Sequence, residues 1–231
     1  MPLSGAGRSD RERHFWACSS QFFETAFIFS MFGQADRPRL GSEFDITLYD
    51  PDGFRLNQVK ASFDTSGVGV LELEALLAGC KLESGLKHCH VVIHCPEGGE
   101  VLARLQSREG ACLMAEPMTI DGNAKVFLPV TLMKEGVSLL CLINQGEKEA
   151  NLRVKFFCGS RSPEVVWVVP SYGSRVFEIG REFADYFDAS AAEMTQAYVR
   201  LGVRGEYSIG AQLIERLPTP NAESIVLNSI S

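Results

Sequence analysis

FDITLYDPDGFRLNQVKASFDTSGVGVLEL, residues Phe44 to Leu73, and LRVKFFCGSRSPEVVWVVPSYGSRVFEI, residues Leu152 to Ile179, read as two versions of one pattern. Phe44 falls on Leu152 at an offset of 108, and Gly67 on Gly173 and Glu72 on Glu178 at 106, so a two-residue deletion in the later copy reconciles them. Downstream, HVVIHC (His90 to Cys95) lies over YVRLGV (Tyr198 to Val203) at 108, and VLARL (Val101 to Leu105) lies over IGAQL (Ile209 to Leu213) at the same offset. Arg108 then meets Arg216, and Ala115-Glu116 meets Ala222-Glu223 at 107. Self-similarity at a fixed period marks a duplicated unit.

Each copy reads as β. DITLYD, VGVLEL, HVVIHC, VLARLQ, SLLCLIN, LRVKFF, VVWVVP, RVFEIG and YVRLGV are short and rich in Val, Ile, Leu and Phe. Many alternate apolar with polar residues, the period of a half-buried strand. Turn chemistry separates them at Asp50-Pro51-Asp52-Gly53, Pro96-Glu97-Gly98-Gly99, Gly159-Ser160 and Tyr172-Gly173. Short strands with turns every 8 to 12 residues predict a sandwich. The expected fold class is therefore all-β: two tandem β-sandwich domains with short helical turns. Helical signal is confined to Glu72–Gly79 and its counterpart Arg181–Met194, where Phe183, Tyr186 and Phe187 recur at helical spacing and read as core packing. The expected division is a flexible tail over 1–14, one sandwich over 15–118 and a second over 123–231. The turn pair Asp121-Gly122 lies in the short linker, so the two units should touch.

Composition sets the bounds. The 231 residues suit two domains of about 100 to 120 residues. Hydrophobic residues make up 45% and charged residues 22%, the usage of a globular chain rather than a disordered one. A net charge of −7 opposes binding to nucleic acid, which needs a basic surface. No apolar run approaches the roughly 18 residues of a membrane span, so the protein should not be membrane-embedded. The polar start MPLSGAGRSDRER has no apolar h-region and predicts no secretory signal. Seven cysteines, placed singly and mostly inside apolar runs, predict buried free thiols in a reducing cytoplasm.

The second copy resembles the soluble sensory-rhodopsin transducer family of bacteria. The resemblance rests on Leu142-Ile143-Asn144-Gln145-Gly146, on Leu152 to Phe157, on Pro170 and Arg175-Val176-Phe177, and on QLIERLPTPNAESIVLNSIS from Gln212 to Ser231. The first copy keeps the pattern more loosely, in Phe15-Trp16-Ala17 and from Arg104 to Glu116. The resemblance implies a small β-sandwich that assembles into oligomers; the family's type member is a cytosolic partner of a photoreceptor. Family members typically have one domain, so a tandem chain would stand in for a dimer.

The sharpest local feature is HCHVVIHC. On a strand, residues two apart share a face, so His88, His90 and His94 point one way and Cys89, Val91, Ile93 and Cys95 the other. Val91, Ile93 and Cys95 align with Val199, Leu201 and Val203, which makes theirs the core face. The histidines are then exposed or in an interface. His88 and His90 form a His-x-His pair able to ligate a metal. His94 lies about 13 Å from His90 at strand rise, too far to share an ion. His14 or Glu100 would complete a site only if the fold brings it near. The alternative is a polar strand face with incidental histidines.

Arg104, Arg108 and Glu116, with Gln212, Arg216 and Glu223, recur in both copies as a candidate site for a partner's charged group, or as salt bridges holding the last strand. Asp50-Pro51-Asp52-Gly53 lacks the further acidic positions of a calcium loop and reads as a turn. There is no G-x-S-x-G elbow, phosphate-binding loop or C-x-x-C. The expectation is a non-enzymatic cytoplasmic binding or signalling module without a cofactor. Its partner would be a protein or small ligand, with a homo-oligomer allowed. The competing expectation is a metal-dependent enzyme using His88 and His90.

Overall fold

The computed structural model describes residues 11–20, 23–31, 43–63, 68–80, 87–107, 112–115, 118–133, 136–186, 195–217 and 224–228. The first half contains β1 (Glu12–Ser19), β2 (Phe23–Met31), β3 (Glu43–Tyr49), β4 (Arg55–Ser62), β5 (Val68–Glu72), α1 (Leu73–Leu76), β6 (Lys87–His94), β7 (Gly99–Ser107) and β8 (Cys112–Ala115). The second contains β9 (Met118–Asp121), β10 (Lys125–Leu132), β11 (Val137–Asn144), β12 (Ala150–Phe157), β13 (Glu164–Val169), β14 (Ser174–Glu178), α2 (Ile179–Glu182), β15 (Thr195–Val203), β16 (Ser208–Leu217) and β17 (Ser224–Asn228). A 3-10 turn, Ala184–Tyr186, follows α2.

The chain is all-β, and its halves use one strand order. In the first, β4-β3-β6-β1 form one layer and β2-β7-β8 the other, with β5 on the free side of β2. In the second, β13-β12-β15-β10 answer the first layer and β14-β11-β16-β17 the second. The pairing Ser19–Glu24 between β1 and β2 links the first half's layers into one sheet, whereas the second half's layers stay separate. Every described ladder is antiparallel, so one face of each strand can be apolar and the other polar.

That alternation builds both cores. Phe44, Ile46 and Leu48 on β3, and Leu152, Val154 and Phe156 on β12, are all sealed from solvent. Between the first pair of layers they join Phe15, Phe27, Phe29, Val91 and Ile93; between the second they join Leu128, Leu142, Trp167, Val199 and Leu213. Each such side chain contributes about 1.5–3 kcal/mol on burial. The two short helices start at offset 106 and plug equivalent ends, α1 with Leu73 and Leu76, α2 with Ile179 followed by Phe183.

The structure shifts several expected boundaries. Glu12, Arg13 and His14 lie in a strand rather than a tail, because β1 pairs with β6 from Glu12–His94 to Ser19–Lys87. Met118–Asp121 is a strand rather than linker, because β9 pairs with β16 and Ile120 sits in the second core. Helix α1 stops at Leu76, and α2 begins at Ile179, before the expected Arg181. Phe183 is core, as its spacing suggested, while Tyr186 is half-exposed. Phe187 and the rest of the expected helix to Met194 lie outside the described residues. Among the described residues, no helix is long and apolar enough to cross a membrane.

Candidate functional site

A third cluster of buried residues joins the halves. Trp16, Cys18, Phe23 and Leu105 from the first half pack with Cys141, Ile143 and Ile214 from the second, edged by Leu139 and Val176. The outer face of β1 and β6, extended by Phe23 of β2 and Leu105 of β7, therefore lies against the outer face of β11, β14 and β16. Ladder register sets the order on the first surface: Cys18 faces His88, Trp16 faces His90, and His14 faces Val92.

The histidines line this junction. His14 Nδ1 is 2.9 Å from His90 Nε2. His90 Nδ1 lies 2.8 Å from the carbonyl oxygen of Tyr172, in the second half. A carbonyl only accepts, so His90 carries hydrogen on Nδ1. In the neutral row, His14 Nδ1 then donates to His90 Nε2. At the other end, His14 Nε2 is 2.7 Å from Glu12 Oε1, an ion-pair contact when the row takes up a further proton. The second Glu12 oxygen is 3.4 Å from His94 Nε2. One carboxylate and three imidazoles thus run from the solvent edge to a main-chain carbonyl of the other half.

Aromatic rings frame the row. His14 and His90 stack at 5.1 Å, and Tyr49 stacks on Tyr172 at 5.0 Å across the junction. Tyr172 has φ of 53°, a left-handed conformation costing an L residue about 1–2 kcal/mol. Its N–H donates to Gly146 O, and its carbonyl accepts from His90, so both sides of the strained residue are held.

His88, partly exposed, lies two residues before His90 on β6. Its Nδ1 is 2.9 Å from Ser174 Oγ, and its ring lies beside Trp16. Burial, and secondarily the Arg175 guanidinium, push its pKa down to about 4. Arg175 also clamps the halves: it donates to Pro51 O at 2.6 Å and pairs with Asp52 at 3.0 Å. Ser174 N–H donates to the same Pro51 carbonyl. Gly53, at φ +86°, lets the β3–β4 turn approach Ser171 and Gly173. The junction thiols are chemically quiet, because burial raises Cys18 to about 12 and Cys141 well above the ordinary thiol range.

The expected site residues divide. Cys89, Val91 and Ile93 point into the core, and His88 and His90 face outward into the junction. His14, considered as a third ligand, is brought to His90. Both ring nitrogens of His90, however, engage protein atoms. Among the described residues no group of three or more His, Cys, Asp or Glu is arranged to hold a metal. Arg104 pairs with Glu72 at 3.3 Å: β5 and β7 flank β2, and both residues register with Ala26, whose methyl leaves room for them to meet. Gln212 is buried on β16, and Arg216 is half-buried near its end. Arg108, Glu116 and Glu223 lie outside the described residues.

Glu12, Trp16, Tyr49, Tyr172, Ser174 and Arg175 take part in the junction although sequence reasoning gave none of them a site role. Residue type cannot flag the contact of Tyr172 with His90, because it is made by a carbonyl. The available signals were Phe15-Trp16-Ala17, a β motif with its tryptophan on the outer face, and the Tyr172-Gly173 turn.

No family model matches the chain, and no curated protein matches it. Among solved structures, a chain from the T13 IBDV viral particle gives a TM-score of 0.16 at 8% identity, covering 90% of this chain and 67% of that one. A likeness of that size bears on neither fold nor function.

Proposed function

We propose that the chain is a non-enzymatic cytoplasmic binding and signalling module: two like sandwiches locked face to face, with a further sheet face presented to a protein partner. The observation that carries this reading is the outer face of the β10-β15-β12-β13 layer. Phe127 is 49% exposed, Tyr198 53%, Val166 57% and Val168 42%. Arg153, Lys155, Arg200 and Glu164 stand among them. Exposed aromatic side chains interspersed with arginine are the usual anchors of a protein interface.

Inside the chain, the corresponding face of the first half is already bound by protein. The junction supports the non-enzymatic reading as well, since both ring nitrogens of His90 are engaged by protein atoms and its thiols are held protonated. The sensory-rhodopsin transducer resemblance agrees with this role and adds a receptor-coupled setting to the proposal.

A photo-crosslinking side chain placed at Phe127 or Tyr198 tests it in the source cells. Protein adducts should form there in excess of those from exposed Lys60, on the first half. Equal or absent adducts would end the reading.

A further inference from the structure

The junction inside the chain is not self-complementary. It joins the β1/β6 face of the first half, with Phe23 and Leu105 from the inner side of β2 and β7, to the β11/β14/β16 face of the second. Since both halves have the same strand order, each kind of face occurs twice, and one of each remains uncovered.

Ladder register identifies the uncovered counterparts. In the first half, His90 lies between Trp16 and Tyr49. In the second, Tyr198 lies between Pro129 and Phe157. Phe127 likewise takes the place of His14, since Phe127 faces Arg200 as His14 faces Val92. Two positions buried in the first half, one of them held against Tyr172, thus carry exposed aromatics in the second. The complementary face, β14-β11-β16 in the second half, is β5-β2-β7 in the first. There Val68 is 69% exposed, Val70 49% and Leu102 48%. Five of the nine large exposed hydrophobic residues among those described therefore fall on counterparts of surfaces the junction buries.

Charge agrees with this pairing. The aromatic face carries Lys125, Arg153, Lys155 and Arg200 against Glu164. The aliphatic face carries Glu24, Glu72, Glu74 and Glu100 against Arg104. A shallow recess of about 140 Å³ lies there, lined by Glu24, Glu72, Glu74 and Arg104. It suits a lysine or arginine side chain from the opposing face.

We propose that a second copy of this chain is the occupant, with the β5-β2-β7 face of one molecule docked on the β10-β15-β12 face of the next in the manner of the internal junction. The inference rests on the proposed binding role and names its partner. Contact of this head-to-tail kind propagates, closing into a ring or continuing as a filament according to the rotation per step.

Two double variants at exposed positions test it: Phe127→Asp with Tyr198→Asp, and Val70→Lys with Leu102→Lys. Unchanged circular dichroism and thermal denaturation establish that each folds. By sedimentation and light scattering over a broad concentration range, the wild-type chain should form assemblies larger than a dimer, and each variant alone should be a monomer. Mixed, the variants should form a one-to-one dimer and nothing larger, because each retains the face the other lacks. A monomeric wild type, a variant that still assembles, or a mixture that stays monomeric would overturn the proposal. If the wild type is monomeric but a crosslinker at Tyr198 captures a different protein, the binding role survives and self-assembly does not.

Discussion

Acid should weaken the joined halves through His88, and His88→Gln should remove that sensitivity. In the fold, burial and Arg175 depress the His88 pKa from 6.5 to about 4. The unfolded chain therefore binds a proton at His88 before the folded chain does. Stability from the neutral imidazole is complete above pH 6.5 and is lost progressively as pH falls towards 4. The full loss is about 3 kcal/mol, at about 1.4 kcal/mol per pH unit. Near neutrality, glutamine keeps a polar partner for Ser174 but sacrifices the ring beside Trp16, at a cost of about 1 kcal/mol. The wild-type advantage should then shrink below pH 6.5 and reverse roughly between pH 5 and 6. Chemical denaturation of both proteins at a series of pH values measures this difference. Glu12, His14, His90 and His94 are common to both proteins and largely cancel from the comparison. Placing both proteins in a Trp167→Phe background leaves Trp16 as the sole indole, so its emission reports the junction itself. A stability difference that stays constant from neutral pH down to pH 4.5 would refute the reasoning.

Trp16→Ala should cost about 3–5 kcal/mol, because the ring is only 3% exposed and fills the seam between the halves; a loss below about 1 kcal/mol in denaturant titration would mean the seam is not a working core. Gly53→Ala should destabilise more than Gly122→Ala. Both glycines have positive φ, but a methyl at Gly53 would overlap the Ser171 carbonyl, while none at Gly122 meets any atom within 4 Å; equal shifts in denaturation midpoint would show that the inter-half turn contact is slack.

Sequence reading succeeded where period-2 alternation is governed by a local core. Cys89, Val91 and Ile93 on β6 face inward, and so do Ala197, Val199 and Leu201, their counterparts on β15. It failed where composition belongs to one environment and pairing to another. Glu12 to His14 look like a solvated tail, yet β6 supplies their backbone partners and His14 is only 7% exposed. Thr119 to Gly122 look like a linker, yet Ile120 is the residue that fixes β9 on β16. Arg104 found Glu72 because two strands register against one alanine, a relation between three separate segments that no sequence spacing encodes.

The histidines mark the deeper boundary of legibility. Alternation places them on the outer face, but what covers that face is decided by residues some eighty positions away, Tyr172 and Ser174. Comparing the halves shows which ladder positions keep their character and which do not. Inner positions stay apolar in both copies because each sandwich must fill its own core. Outer positions diverge because their neighbours differ: His90, enclosed by the other half, has its two nitrogens satisfied by His14 and Tyr172, whereas Tyr198 at the equivalent ladder position stands half in solvent beside Phe157 and Arg200. A buried polar group without partners is costly, so the enclosed copy had to acquire a matched network, while the open copy was free to keep aromatic and cationic side chains.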